Sequence, residues 1–223
     1  MIYLTRSVKG REREVNHDCA AAVCDGDRGL FLIVDGTTKP GSCELAQALV
    51  QGVIDAYRAH IERGAEDFDH SQVEQLLRII LKDLHHQLFA TLTGTASYLV
   101  AVVSNGKLTV AYEGDCSCGI AGSGGAIEWF TSPHCRANWK QDRSHIEIAQ
   151  DPARNQVTRS LRPNRLPDPF FVHQPAPAGA RFICATDGFW AELTEEQQAA
   201  ALNAPSDVIA SASDDVTWID VTV

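Results

Sequence analysis

The order of the hydrophobic patterns is the feature of this sequence that most restricts its fold. Strand-like runs joined by a tight turn occupy 17–34, two long helical patterns follow, and further strand-like runs begin at 95. Strands connected by tight hairpins pair antiparallel. Consecutive amphipathic helices between such strands have to bury their apolar stripes against a sheet face. The order therefore predicts an α+β fold in which helices cover antiparallel sheets.

The two helical patterns lie at 43–61 and 71–92. Each has an apolar stripe with helical spacing, formed by Leu45, Leu49, Val53 and Tyr57 in the first pattern and by Val73, Leu76, Leu77, Ile80, Leu84 and Leu88 in the second. Asp69 or Ser71 is the expected N-cap of the second helix, because short polar side chains satisfy the free N–H groups of a first turn.

The rest of the chain is predicted to be mostly strands. Asn105-Gly106 is a hairpin signal within a meander over 95–130, and 132–168 is expected to form loops and short helices over one sheet edge. The last part is read as a strand at 180–188, helices at 194–202 and 205–213, and a final strand at 215–223. Nothing divides the sequence, so residues 1–223 are expected to form one domain.

Composition excludes some classes of function. The net charge of −10 argues against nucleic acid as a partner, since phosphate backbones attract basic surfaces. No apolar window is long enough to cross a bilayer, and the N-terminus lacks the apolar core of a signal peptide. The seven cysteines include no Cys-x-x-Cys pair, which favours a reducing compartment. We therefore expect a cytoplasmic protein that does not bind membranes.

Four aspartates lie on or beside apolar strands. Asp35 and Asp187 end such runs and are each followed by glycine, Asp214 precedes the final strand, and Asp18 lies inside the first. A buried carboxylate needs a partner, and too few basic residues lie near these segments to neutralise all four. Carboxylate oxygens are ligands that Mg²⁺ and Mn²⁺ prefer. A single Asp-Gly usually marks only a turn, so the prediction of a metal site depends on the set.

Seven short motifs occur in an order that resembles a known family. They are "REVNHDC" (13–19), "LIVDG" (32–36), "GTASYLVAVVSNGKLTVAYEGDC" (94–116), "FTSPH" (130–134), "NQVTRSL" (155–161), "FICATDGFWAEL" (182–193) and "DDVTWIDV" (214–221). Together they resemble the metal-dependent Ser/Thr protein phosphatases of the PP2C (PPM) type, including minimal bacterial members. The resemblance covers almost the whole chain.

The resemblance implies both a fold and an activity. The fold is a four-layer α-β-β-α sandwich with two Mn²⁺ or Mg²⁺ ions at one end of the sheets. The activity is hydrolysis of phosphoserine and phosphothreonine by a metal-activated water. The partner would be a phosphorylated protein, either a cognate Ser/Thr kinase or one of its targets, and the enzyme would be a monomer.

The resemblance also implies roles for individual residues. Asp35 would bridge the two ions, the carbonyl of Gly36 would bind one of them, and Asp187 and Asp214 would complete the other. Asp35 thereby belongs to both the metal site and the catalytic group. The catalytic group also includes Arg13, which is expected to hold the phosphate oxygens, and Asp18, which is expected to orient the attacking water. The residue types agree with this chemistry, because a guanidinium fork matches a phosphate and two cations can activate water.

The sequence departs from the family pattern at two places that bear on activity. Thr37, Thr38 and Lys39 replace a glycine-rich turn, and Lys39 is read either as a contact to substrate phosphate or as a solvated loop residue. Leu92 stands where many bacterial members carry a third-metal aspartate, so that site is expected to be missing or differently built. A catalytically weak regulatory or binding module, and a phosphatase for small metabolites, therefore remain open as alternatives.

Overall fold

The computed structural model describes residues 1–62, 68–122, 124–203 and 212–223. The strands in these ranges are β1 (Ile2–Val8), β2 (Asp18–Asp25), β3 (Arg28–Gly36), β4 (Ala96–Ser104), β5 (Lys107–Glu113), β6 (Ser117–Ala121), β7 (Ile127–Trp129), β8 (Phe170–Pro175), β9 (Arg181–Ala185) and β10 (Val216–Thr222). The helices are α1 (Ser42–Glu62), α2 (His70–Leu88), α3 (His145–Ala149), α4 (Asp187–Trp190) and α5 (Glu195–Asn203), with 3₁₀ turns at Arg136–Asn138 and Pro152–Asn155.

The strands form two sheets of five strands each. The first sheet has the order β2-β3-β4-β5-β8, and the second has the order β1-β10-β9-β6-β7. Every pairing is antiparallel. The tight turns predicted between β2 and β3 and between β4 and β5 are present, and Asn105 and Gly106 both have the positive φ that such a two-residue turn requires.

Three apolar layers hold the helices and sheets together. Helices α1 and α2 bury residues such as Leu49 and Leu77 against the outer face of the first sheet. The two sheets face each other across a second layer, in which Phe31 and Phe182 meet edge to face with ring centroids 5.5 Å apart. Helices α4 and α5 cover the outer face of the second sheet around Trp218. The predicted α+β, four-layer α-β-β-α arrangement is confirmed.

The second long helix begins as predicted but ends earlier. Asp69 is its N-cap and forms a reciprocal capping box with Gln72. The helix ends at Leu88 rather than at 92, and the chain tightens there, because the Thr91 N–H donates to the Leu88 carbonyl three rather than four residues back. Leu92 packs against the core beneath α1 and α2.

Two strands do not appear among the sequence-based predictions. Strand β1 pairs only with β10 at the edge of the second sheet, and its apolar residues Ile2, Tyr3 and Leu4 are exposed. Strand β8 lies in the proline-containing stretch after 162 and ends at Pro175. The helix predicted over 205–213 falls largely outside the described residues, which omit 204–211.

In the part of the chain that the structure describes, no helix is both long and apolar enough to pass through a bilayer. All seven cysteines are free thiols.

Candidate metal and phosphate site

The first sheet brings three of the acidic residues to one end. Asp18 on β2 lies directly opposite Asp35 on β3, and Asp35 lies opposite Ser97 on β4. The Ser97 hydroxyl donates to Oδ1 of Asp115 at 2.7 Å, just beyond the end of β5. Neighbouring strands thus place Asp18, Asp35 and Asp115 in one row, as expected for side chains at matched positions across antiparallel pairs.

The second sheet contributes the remaining aspartates at the same end. Asp187 is the first residue of α4, directly after β9, and Asp214 precedes β10. The Thr186 hydroxyl donates to Oδ2 of Asp18 at 2.8 Å, so a buried hydrogen bond joins the two sheets here. Gly188 packs so closely that a Cβ on it would lie 2.0 Å from the Asp215 carbonyl oxygen. Only glycine fits at that position.

The carboxyl groups repel one another strongly. Burial raises the pKa of Asp35 well above its ordinary value, and the charges of Asp18, Asp187, Asp115 and Asp214 raise it further. Burial likewise raises the pKa of Asp187 to about 8, with Asp115 and Asp214 adding to the effect. The pKa values of Asp18 and Asp115 are also raised, mainly by burial. Sequence-distant aspartates therefore form one electrostatically coupled cluster.

Arginines occupy two of these carboxylates, contrary to the expectation that too few basic residues lie nearby. Arg13 donates to Asp214 through Nε and Nη2, at 2.6 and 2.5 Å. Arg154 donates from Nη1 to Asp187 at 3.1 Å, and its Nη2 lies 3.5 Å from Glu192. These arginines are far from their partners in sequence, so only the fold brings them together. No described residue forms a hydrogen bond or an ion pair with the Asp35 side chain.

The donor set fits divalent cations in its chemistry. Buried carboxylate oxygens that repel each other are the ligands that Mg²⁺ and Mn²⁺ require, and a bound cation would remove the repulsion. Among the described residues, however, no three His, Cys, Asp or Glu side chains are arranged as a ready metal site. The arginine contacts of Asp187 and Asp214 give a physical reason, since these carboxylates would have to turn from arginine to metal.

Two acidic residues that sequence reasoning did not assign support the site. Asp215 accepts the backbone N–H groups of Gly10 and His17, both at 2.8 Å, and so ties the segment containing Arg13 to the start of β10. Glu192 accepts from the backbone of Ser213 and Asp214, at 2.8 and 3.2 Å. The sequence signal for Asp215 is its place beside Asp214 in the motif at 214–221.

Asp115 is a further residue that the sequence-based assignment left without a role, although it lies in the quoted "EGDC" motif. Its neighbour Gly114 has φ of 110°, and a Cβ there would lie 2.2 Å from the Ser97 hydroxyl, so glycine is needed beside this carboxylate. The backbone carbonyl of Asp115 accepts a hydrogen bond from Nε1 of Trp190 at 2.8 Å. Both the side chain and the main chain of Asp115 are thereby fixed.

The irregular segment 132–168 is anchored next to Asp115. The backbone N–H of His134 donates to the Gly114 carbonyl at 2.8 Å, and Nδ1 of His134 accepts from the Gly114 N–H at 3.1 Å. Arg159 and Arg165 both contact Glu113, which is fully buried. These contacts hold His134, Arg159 and Arg165 of the segment at the end of β5, beside the acidic cluster.

Several solved structures of bacterial phosphatases have the same fold. A bacterial serine phosphatase gives a TM-score of 0.79 at 18% identity, covering 100% of this chain and 98% of that one. The Ser/Thr phosphatase Stp1 from Staphylococcus aureus gives 0.78 at 18% identity, covering 99% and 94%. The chain has the fold of the PPM-type Ser/Thr phosphatases. No protein-family model matches the sequence, and no curated protein is significantly similar to it.

The PPM-type fold confirms the architecture that the ordered motifs predicted. A third structure with this fold, the catalytic domain of the Ser/Thr protein phosphatase PstP, is in complex with two manganese ions, at a TM-score of 0.71 and 19% identity, covering 98% of this chain and 96% of that one. At such identities the match establishes the fold, while the chemistry of this chain has to be argued from its own residues.

Proposed function

We propose that this protein is a divalent-metal-dependent phosphoprotein phosphatase that hydrolyses phosphoserine and phosphothreonine. The observation that carries the proposal is the convergence of Asp18, Asp35 and Asp115 from one sheet with Asp187 and Asp214 from the other. The raised pKa values of Asp18, Asp35, Asp115 and Asp187, close together at one end of the fold, are typical of a functional site. The PPM-type fold and the manganese ions of PstP support the choice of reaction.

The side chains divide into metal-holding and phosphate-holding groups. Asp35, the Gly36 carbonyl, Asp187 and Asp214 would hold two Mn²⁺ or Mg²⁺ ions, which when bound supply an activated water and offset charge on the phosphoryl oxygens. Arg13 is the residue beside the cluster that can bind a phosphate through two donors.

Asp18 has a supporting role in this proposal. Its position opposite Asp35 and its hydrogen bond from Thr186 hold it beside the cluster, where it would accept a hydrogen bond from the attacking water and so orient it. Water then attacks phosphorus directly, and no Ser or Cys nucleophile is required. The protein substrate would be a phosphorylated protein such as a Ser/Thr kinase or its target.

Turnover of p-nitrophenyl phosphate and of a phosphoserine peptide tests the proposal. We expect hydrolysis with Mn²⁺ or Mg²⁺, its loss in EDTA, and a fall of at least about a hundredfold in Asp35→Asn, because direct ligands matter at least as much as their supporting residues. Asp55→Asn, an exposed aspartate on α1, is the matched control. Metal-independent turnover, or equal turnover in Asp35→Asn and Asp55→Asn, would contradict the proposal.

A regulatory binding module is the second candidate, and the arginine contacts of Asp187 and Asp214 favour it. If these ion pairs persist in solution, the two carboxylates cannot bind metal ions. Calorimetric titration with Mn²⁺ distinguishes the candidates. Binding of two ions that is lost in Asp35→Asn supports the phosphatase, whereas a protein that binds phosphopeptide without metal or turnover is the module. A comparison of kcat/KM for phosphopeptides and for small phosphorylated metabolites then shows which of the two is the substrate class.

A further inference from the structure

A cavity of about 440 Å³ lies beside the loop that follows Asp35 and Gly36. It is lined by Lys39 and Pro40 from this loop, by Arg162 and Pro163 from the segment before β8, and by Thr95. The prolines restrict the backbone of both loops. The Arg162 loop is also held by α2, because Nε2 of His85 donates to the Arg162 carbonyl at 3.0 Å. The cavity is therefore built from fixed backbone on two sides.

Two side chains without an ion pair, Lys39 and Arg162, both line this cavity. No hydrogen bond or ion pair joins the side chain of Lys39 or Arg162 to any other residue that the structure describes. Other arginines near the acidic end of the sheets, such as Arg13, Arg154 and Arg159, are instead paired with carboxylates. Two free cations that line one cavity attract an anionic group.

The cavity is connected to the acidic cluster through one short loop. The N–H of Thr37 donates to the Thr95 carbonyl at 3.1 Å, and their hydroxyl oxygens are 2.9 Å apart. Lys39 follows Asp35 by four residues, so their Cα atoms lie within about 14 Å of each other. An extended peptide advances about 3.3 Å per residue. A group in the cavity would thus be at most about four residues from a phosphoserine at the aspartates.

We infer that Lys39 and Arg162 form a second anion subsite, which binds another oxyanion of the same substrate peptide up to about four residues from the phosphoserine. The inference rests on the proposed phosphatase function and names the substrate class that such an enzyme would prefer. The second oxyanion is either a second phosphoryl group or an Asp or Glu carboxylate. Lys39 lies where the sequence departs from the family's glycine-rich turn, so the subsite belongs to this chain.

Peptide binding without turnover tests the subsite independently of catalysis. A phosphoserine peptide that carries phosphoserine, Glu or Gln three residues to either side is titrated by fluorescence anisotropy in EDTA. We expect the doubly anionic peptides to bind about three- to tenfold more tightly than the Gln peptide, as two partly solvated charge pairs allow. The double variant Lys39→Ala/Arg162→Ala should abolish this difference. Arg6→Ala, an exposed arginine on β1, is the matched control.

Turnover with Mn²⁺ provides the second measurement. The double variant should lose the preference in kcat/KM for doubly anionic peptides and keep its activity on p-nitrophenyl phosphate, which has no second anionic group. An unchanged preference in the double variant, in binding or in turnover, overturns the subsite. A protein that shows the binding preference without any turnover keeps the subsite and contradicts the phosphatase. Comparison of the peptides with a second phosphoserine and with Glu identifies which oxyanion the subsite prefers.

Discussion

At the scale of single residues, the ion pair between Arg13 and Asp214 sets two proposed roles against each other. The same guanidinium that would bind phosphate holds a carboxylate that would bind metal. We predict that Arg13→Ala binds Mn²⁺ up to about tenfold more tightly, because Asp214 is released from a half-buried bidentate pair. Its KM for p-nitrophenyl phosphate should rise by about tenfold or more, because the phosphate loses two charged donors.

Opposite changes in metal and phosphate affinity are the signature of this competition. Titration calorimetry measures the first and steady-state kinetics the second. Arg11→Ala is the control, since the Arg11 side chain is exposed and, among the described residues, forms an ion pair only with the exposed Glu12. Weaker Mn²⁺ binding in Arg13→Ala would show that Arg13 supports the metal site rather than competing with it.

At the scale of structural elements, α3 is attached to the second sheet by a buried histidine. His145 lies between the rings of Trp129 and Trp190, and its Nε2 is 2.9 Å from the Ser117 hydroxyl. Burial alone lowers the pKa of His145 from 6.5 to about 3, and no charged group contributes. The ring is therefore neutral in the folded protein at neutral pH.

Acid should destabilise the protein through His145. Because the pKa is lower in the folded protein than in the unfolded chain, the unfolded chain binds the proton first, and stability is lost as the pH falls from about 6.5 toward 3. Between pH 7.5 and 5 the free energy of unfolding in urea should fall by about 2 kcal/mol more in the wild type than in His145→Gln. The exposed His86→Gln should behave like the wild type. Equal pH dependence in His145→Gln would contradict this account.

The elements that the sequence predicts well are those with strong local signals. The apolar run of β3, the stripe of α1 and the capping box at Asp69 all follow from neighbouring residues. Strand β1 could not be found this way, because an exposed edge strand forms only where β10 offers a partner. The sequence predicts too long an α2, because the apolar spacing continues past Leu88. The helix ends there because of its backbone hydrogen bonds, which the spacing of apolar residues does not reveal.

At the scale of the whole molecule, the site depends on how two sheets meet. The sequence indicates Asp35 and Asp187 because each ends an apolar strand and precedes glycine. It does not indicate that Arg154 contacts Asp187 or that Ser97 fixes Asp115, since these contacts depend on strand register and on the packing of distant segments. Whether the predicted residues bind metal stays a prediction, which the experiments on Asp35 and Arg13 address.

The hydrogen bond between Thr186 and Asp18 joins the sheets at that site. Its loss should lower the free energy of unfolding. The Thr186 hydroxyl donates to Asp18 and accepts from the Thr217 N–H at 3.0 Å, and all three residues are buried. Thr186→Val keeps the side-chain shape but leaves both groups without this partner. We predict a loss of about 1–3 kcal/mol in the free energy of unfolding in urea, the usual cost of a buried polar group left unsatisfied. Thr186→Ser, which keeps the hydroxyl, should recover most of that loss.

Equal stability of the Val and Ser variants would mean that the bond across the sheets contributes nothing. The approach of Asp18 to the second sheet would then be due to the apolar layer around Phe31 and Phe182 alone.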